Sequence, residues 1–216
     1  MDKIVFIGGG GHCKSVIDAA LRSKQFTKIY ITDAELEAGT KILGCEVVGP
    51  DDKLPELFKE GITKAFITVG FIKPNDLRSR LYDMAKKMGF SFPDIVDPSA
   101  VVSDFAQLGS GVFVGKNAVI NAGAIIGNNA IINTGAIVEH DCVVGEGAHI
   151  AIGAKLCGEC KVGAGTLIGA GATVLQGIEI GDNAVIGAGA VVTRNVGSSC
   201  TSVGIPARIQ SGRKRH

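Results

Sequence analysis

The sequence predicts a chain of two parts, a small α/β domain followed by a parallel β-helix of hexapeptide repeats. Every sixth residue from Val96 to Val192 is Val, Ile or Leu, without a gap or an insertion. The residue four places after each of these is small in nearly every repeat, most often Ala. A period of six fits neither the 3.6 residues of a helical turn nor a simple alternating strand, and it is typical of stacked hexapeptide coils. The residues before this run lack the period and show strand and helix patterns in turn.

The β-helix is predicted over residues 95–196. Three hexads make one triangular coil, and strands stacked about 4.8 Å apart give a prism about 27 Å tall. This thin core suits the composition, because aromatic residues are 5% of the chain, Trp is absent, and 31 glycines are available for tight corners. Such a repeat cannot bury its own ends. We therefore expect the α/β domain to cap the first coil and residues 197–216, with their basic end Arg213–Arg215, to form a C-terminal cap and solvated tail.

Residues 1–94 are predicted to form a Rossmann-like α/β domain with a small parallel sheet. The first strand, over residues 3–7, ends in four consecutive glycines. The segment after them places apolar residues at helical spacing, at Val16, Ile17, Ala20 and Leu21. The other predicted elements are strands at 28–31, 65–69 and near 92–96, and helices at 51–60 and 74–89, the last with Leu77, Leu81, Met84 and Met88 on one side.

The composition argues against several classes of function. The net charge is +1, so no strong field favours nucleic acid or a membrane surface. With no run of 18 apolar residues and no signal-peptide pattern, we expect a cytoplasmic protein. Cys157 and Cys160 form a CxxC without the second pair that a zinc site needs. Cys142 and Cys160 fall in the small inward slot of their hexads, where a thiol packs as an apolar group, so we expect no metal site and no cysteine nucleophile.

The four glycines at Gly8–Gly11 predict an anion-binding turn between a strand and a helix. Backbone N–H groups and the helix N-terminus at such a turn attract phosphate. The third glycine of the GxGxxG dinucleotide fingerprint is missing, because Cys13 and Lys14 stand where it would be. Asp33, at the end of the second strand, lies where an acid that contacts a ribose belongs. This combination favours a nucleotide-sugar over NAD, the alternative being a turn that needs glycine for packing alone.

His140 is the residue with the clearest catalytic potential. It is the third residue of its hexad, which points outward at a corner, and it stands between Glu139 and Asp141. An exposed imidazole beside a carboxylate can accept a proton near neutral pH. The alternative is a surface histidine without a role.

His149 follows nine residues later, which is half of an 18-residue coil. The side chains of His140 and His149 should therefore leave the prism at different parts of its perimeter. One chain cannot easily bring both into one cleft, but two neighbouring chains can. We expect an active site between subunits, most simply in a homotrimer. The zinc site that some proteins of this architecture hold between subunits needs three histidines, and the hexads supply two.

The chain resembles the bacterial sugar acyltransferases that carry a left-handed β-helix, over essentially its whole length. These include the UDP-4-amino-sugar N-acetyltransferases of bacillosamine biosynthesis and the sialic acid O-acetyltransferases. The resemblance rests on motifs at both ends and in the middle of the chain. They are the opening 7–12 (IGGGGH), the strand end at 32–33, Val69-Gly70, the stretch 133–141 ending in Glu-His-Asp, Ala148-His149, and the closing 204–208 (GIPAR).

The resemblance implies an acetyl-CoA-dependent enzyme with a left-handed coil and a role for each matching residue. It implies that His140 is the general base and that Asp141 increases its basicity. The positions that match acetyl-CoA contacts are His149, Gly158, Ala170 and Ala188. The positions that match the nucleotide-sugar pocket are Gly10, Gly11, His12, Thr32, Asp33 and Gly70.

The expected reaction is transfer of an acetyl group to the amine of a nucleotide-linked amino sugar, of the UDP-4-amino-4,6-dideoxy-sugar type. One alternative is an O-acetyltransferase that acts on sialic acid or another glycan sugar. A second is a non-catalytic trimeric assembly module. A sugar nucleotidyltransferase would need a larger N-terminal domain and a basic phosphate loop, which the sequence lacks.

Overall fold

The computed structural model of the protein describes residues 2–70 and 77–210. The chain divides into two compact units, residues 1–98 and 99–216. The predicted basic end of the tail, Arg213–Arg215, and the start of the helix predicted at residue 74 lie outside the described residues.

The first unit holds a five-stranded sheet whose strand order is β3-β4-β2-β1-β5. All neighbouring strands are parallel except β3 and β4, which are antiparallel. The strands are β1 (Asp2–Ile7), β2 (Phe26–Thr32), β3 (Lys41–Ile42), β4 (Cys45–Gly49) and β5 (Ala65–Ile67), and the helices are α1 (Gly11–Ser23), a 3₁₀ turn (Asp51–Lys53), α2 (Leu54–Lys59) and α3 (Leu77–Lys87). The parallel α/β arrangement agrees with the pattern predicted from the sequence.

Three details of this unit differ from the prediction. In α3 the predicted Leu77 is 43% exposed, and Tyr82 and Ala85 are buried beside Leu81 instead. Leu21 in α1 is 49% exposed, whereas Cys13 and Ala19 share the buried side with the predicted Val16 and Ile17. The hairpin β3–β4 was not predicted, because its two-residue turn begins with Leu43. Leu43 has φ +48, in the left-handed region that turns usually give to Gly, Asn or Asp.

The second unit is a triangular parallel β-helix of two-residue strands. Up to the strand at Thr173–Val174, each strand of this unit pairs with the strand 18 residues further along, as Val119 does with Ile137. The strands from the end of the first unit onward are β6 (Ile95–Val96), β7 (Val101–Val102), β8 (Gln107–Leu108), β9 (Phe113–Val114), β10 (Val119–Ile120), β11 (Ile125–Ile126), β12 (Ile131–Ile132), β13 (Ile137–Val138), β14 (Val143–Val144), β15 (His149–Ile150), β16 (Lys155–Leu156), β17 (Lys161–Val162), β18 (Leu167–Ile168), β19 (Thr173–Val174), β20 (Glu179–Ile180), β21 (Val185–Ile186), β22 (Val191–Val192), β23 (Thr201–Val203) and β24 (Arg208–Ile209).

The strands of the β-helix form three sheets, one for each side of the triangle. One sheet runs from β7 through β10, β13, β16 and β19 to β22, and a second from β8 through β11, β14 and β17 to β20. The third contains β9, β12, β15, β18 and β21, followed by β23 and β24. The branched residue of every hexad from Val114 to Val192 is buried, as the period predicts. None of the helices within the described ranges has the length and apolar character that a membrane crossing requires.

Candidate active site

His140 and Asp141 form a hydrogen-bonded pair at an exposed corner of the β-helix. The corner follows β13, and the two side chains are 51% and 64% exposed. The distance from His140 Nδ1 to Asp141 Oδ2 is 2.9 Å. Because a carboxylate only accepts hydrogen bonds, Nδ1 carries the proton of the neutral ring. Nε2 therefore keeps the lone pair that a general base needs.

The surroundings of the pair make the imidazole more basic. The pKa of His140 is raised above its ordinary value, mainly by the hydrogen bond with Asp141. Desolvation opposes the shift and is outweighed, and the negative charges of Asp141, Glu139 and Glu159 add to it. The neutral, proton-accepting form of His140 is consequently reached at a higher pH than for an isolated imidazole.

Asp141 occupies a corner position that other coils give to glycine or asparagine. The fourth residue of the hexad has a positive φ at one corner after another. From residue 111 to residue 189 these residues are Gly111, Asn117, Gly123, Asn129, Gly135, Asp141, Gly147, Gly153, Glu159, Gly165, Gly171, Gly177, Asn183 and Gly189. In this stretch Asp141 (φ +58) and Glu159 (φ +63) are the departures from Gly and Asn. Asn and Asp tolerate this conformation better than other residues that carry a Cβ atom, so the backbone strain is expected to be larger at Glu159 than at Asp141.

Glycines on the two adjacent coils lie against the pair. Gly158 follows His140 by one coil, and a Cβ atom at Gly158 would stand 2.5 Å from His140 Nε2. Gly123 precedes Asp141 by one coil, and a Cβ atom there would overlap Asp141 Oδ1. In both cases the added Cβ atom would lie closer to the side-chain atom than Cβ atoms lie to their neighbours in real proteins. The side chains of His140 and Asp141 thus occupy the space that a side chain at position 158 or 123 would fill.

The cysteines near the pair are structural. Cys142 and Cys160 are fully buried, and the Cys142 thiol lies 3.1 Å from the carbonyl oxygen of Cys157. The hydrogen bond with the Cys160 thiol and burial raise the pKa of Cys142. The Cys142 thiol therefore stays protonated and is a poor nucleophile. Within the described ranges no group of three or more His, Cys, Asp and Glu could hold a metal ion.

The residues expected to contact acetyl-CoA lie on two parts of the β-helix. Gly158 is on the corner column of His140, as described above. His149 lies on β15, in another sheet, with its Nε2 3.1 Å from Asn133 Nδ2. Ala170 and Ala188 occupy exposed corners after β18 and β21, the next strands of that sheet, one directly above the other. The structure thus groups His149 with Ala170 and Ala188, away from His140.

The four consecutive glycines at Gly8–Gly11 divide into two pairs. Gly8 and Gly9 serve packing, because a Cβ atom would come within 2.6 Å of Val69 at Gly8 and 2.5 Å of Leu36 at Gly9. Gly10 and Gly11 are exposed, and a Cβ atom at either would meet no neighbour within 4 Å. These two open glycines begin α1, so they present backbone N–H groups at the end of a helix where an anion binds.

The Asp33 carboxylate accepts hydrogen bonds from the backbone of two segments, the glycine turn and the residues that follow Asp33 itself. Its Oδ2 accepts a hydrogen bond from Gly9 N at 2.6 Å, and its Oδ1 accepts from Glu35 N and Leu36 N at 2.9 and 3.1 Å. Burial would raise the pKa of Asp33, but these three donors outweigh it and lower the pKa. Asp33 is therefore ionised and fixes the glycine loop to the end of β2.

A cavity of about 160 Å³ opens beside Asp33 at the carboxyl ends of the strands. It is lined by Gly8, Asp33, Ala34, Glu35, Asp51, Val69, Leu77 and Leu81. Thr32 does not line the cavity and is fully buried, and its hydroxyl donates to Asp51 Oδ1 at 2.7 Å. Burial raises the pKa of Asp51. Asp51 was missed from the sequence, where it stands out only as the start of a helix.

The other two residues expected at the nucleotide-sugar pocket lie next to each other. His12 is in the first turn of α1, and Gly70 follows β5. A Cβ atom at Gly70 would lie 3.5 Å from His12 Cβ, which is ordinary contact. The parallel sheet therefore brings the ends of β1, β2 and β5 to one edge, where open α/β sheets bind ligands.

Comparisons with known proteins match both units. The model of the PglD N-terminal domain matches residues 3–85, and the model of the bacterial transferase hexapeptide matches residues 105–140, 141–176 and 159–194. A comparison with curated proteins gives no match. A solved structure of a histidine variant of perosamine N-acetyltransferase from Caulobacter crescentus, in complex with CoA and GDP-perosamine, is 39% identical. It covers 98% of this chain and 98% of its own, with a TM-score of 0.92.

The chain belongs to the hexapeptide-repeat sugar acyltransferase family. A second member is the acetyltransferase domain of PglB from Neisseria gonorrhoeae in complex with acetyl coenzyme A, at 33% identity and a TM-score of 0.90. That match covers 96% of this chain and 98% of the other. The resemblance inferred from the sequence is confirmed, as is the fold, an α/β domain followed by a left-handed parallel β-helix. As a member of this family the protein is an acyltransferase.

Proposed function

We propose that the protein transfers the acetyl group of acetyl-CoA to the amine of a nucleotide-linked amino sugar, with His140 as general base. The observation that carries the proposal is the His140–Asp141 pair, which stands exposed at a corner and has Nε2 free of the carboxylate. The family supports the reaction class, because perosamine N-acetyltransferase was solved with CoA and GDP-perosamine and the PglB domain with acetyl coenzyme A.

In this reaction His140 first accepts a proton and later donates it again. Nε2 accepts a proton from the sugar amine as the amine nitrogen bonds to the thioester carbon. Asp141 holds Nδ1–H and stabilises the imidazolium that forms. When the carbon–sulfur bond breaks, the imidazolium returns the proton to the departing CoA thiolate. A backbone N–H of the corner stabilises the negative charge on the thioester oxygen, and no acyl-enzyme is needed because both substrates are held together.

The two substrates are assigned to separate surfaces. We assign acetyl-CoA to His149, Gly158, Ala170 and Ala188 on the β-helix. We assign the nucleotide-sugar to the edge of the α/β sheet. The residues there are Gly10, Gly11, His12, Thr32, Asp33 and Gly70, with Thr32 acting through Asp51 because its own side chain is buried.

We further propose that the active enzyme is a homotrimer in the cytoplasm, where nucleotide-sugars and acetyl-CoA are both available. His140 stands at the corner after β13, whereas His149 lies on β15, in a different sheet from β13. If both contact the same acetyl-CoA, they must come from neighbouring chains, and cyclic symmetry closes such a contact into a ring.

The test is a transfer assay that follows release of the CoA thiol with three kinds of acceptor. We expect turnover with a GDP- or UDP-linked 4-amino sugar, and the two arms decide the nucleotide. We expect none with the corresponding 4-hydroxy sugar or with sialic acid. Turnover with sialic acid alone would favour the O-acetyltransferase alternative. Absence of turnover with every acceptor, from a protein that binds acetyl-CoA, would contradict the proposal.

A further inference from the structure

We propose that Gly123 and Gly158 are positioning residues that hold the His140–Asp141 pair in its working geometry. This inference rests on the proposed function of His140 as the base. The two glycines belong to different coils, one before and one after the coil that carries the pair. Each lies against a different member of the pair, Gly123 against the carboxylate and Gly158 against the imidazole.

Gly123 sets where the carboxylate of Asp141 can lie. The backbone N–H of Asp141 donates to Ala122 O at 3.1 Å, so the two corners are stacked directly. With no side chain at Gly123, Asp141 Oδ1 rests against the Gly123 backbone while Oδ2 faces His140 Nδ1. A methyl group at Gly123 would push the carboxylate outward and lengthen the contact with Nδ1. His140 would then lose both its orientation and the main cause of its raised pKa.

Gly158 keeps the reactive nitrogen accessible. A methyl group at Gly158 would lie 2.5 Å from Nε2 and 2.6 Å from Cε1 of His140. Nε2 is the atom that must receive the proton. Glu159 N donates to His140 O at 2.9 Å, so the backbone of this corner is fixed to the corner below and cannot easily retreat. The imidazole would have to rotate away from Asp141 to avoid the methyl group.

Gly177, another corner glycine with a positive φ, provides a matched control for Gly123. Gly123 has φ +75, and Gly177, two coils beyond Asp141 on the same corner column, has φ +69. A Cβ atom at Gly177 would meet no neighbour within 4 Å. Replacement of either glycine by alanine therefore imposes the same backbone strain, but only Gly123→Ala collides with the carboxylate.

The decisive experiment compares Gly123→Ala with Gly177→Ala. We expect Gly123→Ala to lower kcat about 10-fold or more, because general-base catalysis contributes roughly 10²–10⁴-fold. KM should change little, and the acid limb of the kcat profile should move to lower pH. NMR titration of His140 should show the same fall in its pKa without any substrate, which separates this inference from the acceptor assignment. Gly177→Ala should leave kcat, the pH profile and the titration as in the wild type.

Double variants distinguish positioning from general damage. Asp141→Gly removes the carboxylate and gives its corner the residue found at most other corners. If Gly123 acts through Asp141, adding Gly123→Ala to Asp141→Gly should cause no further loss of kcat. Likewise, at saturating acetyl-CoA, Gly158→Ala should lower kcat about 10²-fold alone and no further in a His140→Ala background. Any effect of Gly158→Ala on the assigned acetyl-CoA contact should appear in the KM for acetyl-CoA instead. Additive losses, or an equal loss in Gly177→Ala, would overturn the proposal. If Gly123→Ala does not fold, Gly123→Asn and Gly177→Asn repeat the comparison, because this corner position accepts Asn elsewhere.

Discussion

The candidate functional residues are recognised in opposite ways in the two units of the chain. In the α/β unit the mark is glycine, since four in a row remove side chains from a strand-to-helix turn and leave Gly10 and Gly11 open. In the β-helix glycine or asparagine is the ordinary residue at the corner with a positive φ, and the mark is its replacement by Asp141 and Glu159. A repeat therefore supplies its own reference, against which a departure can be recognised. The α/β unit supplies no such reference, and its residues have to be judged by their contacts.

The comparison also separates what each unit is expected to control. We assign the proton transfer to the corner of His140 and the recognition of the nucleotide-sugar to the edge of the α/β sheet. Variants of the first should change kcat, and variants of the second should change KM and ligand-induced stabilisation. A variant of one unit that changed only the parameter of the other would break this division.

The largest effect is expected from His140→Ala. Without the imidazole this corner lacks the general base that we assign to it, so kcat should fall about 10²–10⁴-fold. Binding of acetyl-CoA and of the nucleotide-sugar, measured by calorimetry, should remain. Glu146→Ala is the matched control, because Glu146 is also an exposed third residue of its hexad but lies on another column. Unchanged turnover in His140→Ala would remove His140 from the mechanism.

Asp141→Asn should have the next largest effect and a distinct pH signature. The carboxylate is the main cause of the raised pKa of His140, so its loss should lower that pKa. In the proposed mechanism the general base is the neutral imidazole, so activity should appear as pH rises through this pKa. The acid limb should move to lower pH in Asp141→Asn, while the plateau of kcat falls because Nδ1–H is no longer held by a charged acceptor. A shift of the limb to higher pH would contradict the assigned hydrogen bond.

In the α/β unit, Asp33→Asn should weaken the loop and the binding of the nucleotide-sugar. The neutral amide replaces a charged acceptor of three backbone N–H groups, which should cost about 1–3 kcal/mol of unfolding free energy. KM for the nucleotide-sugar should rise while kcat changes less. Glu46→Gln, an exposed acid on β4, is the control.

The stability of the wild type and of Asp33→Asn should also differ in its dependence on pH. The pKa of Asp33 is lower in the folded state, so its stabilising contribution is complete above the unfolded pKa of about 3.9. That contribution is lost as pH falls through the lower folded pKa. Below about pH 4, the wild type should therefore lose stability more steeply than Asp33→Asn. Parallel unfolding curves over this window would show that the backbone donors do not shift the titration of Asp33.

The sequence predicted the β-helix more completely than the α/β unit for a physical reason. Each hexad tests the same period again, so one interpretation is supported 17 times from Val96 to Val192. The α/β unit offers each signal once. The β3–β4 hairpin was missed because Leu43 is not a residue type that predicts a turn. Leu21 was predicted on the buried side of α1, but helical spacing alone does not show which of two neighbouring residues faces the sheet.

The candidate site could be predicted where it depends on residue type and not where it depends on stacking. His140 and Asp141 were recognised because they are adjacent in sequence. The contacts of Gly123 and Gly158 were not recognised, although a spacing of 18 residues, one coil, connects each to its partner. The link from Thr32 to Asp51 has no signal in the sequence, because it depends on how the turn after β4 folds back on β2.

The smallest predicted effect tests the strain at the second unusual corner. Glu159 has φ +63, and its exposed carboxylate accepts a hydrogen bond from Gln176 Nε2 at 3.2 Å. Relief of the left-handed strain should outweigh this exposed contact, so Glu159→Gly should stabilise the protein by about 0.5–1 kcal/mol. For a chain of this length, that is a rise in Tm of about 1–4 °C. Asn117→Gly, at the same hexad position with φ +53, should change Tm less, because Asn tolerates this conformation. If Glu159→Gly were instead less stable than the wild type, the carboxylate would contribute more than its corner costs. The left-handed conformation at residue 159 would then impose no net strain on the fold.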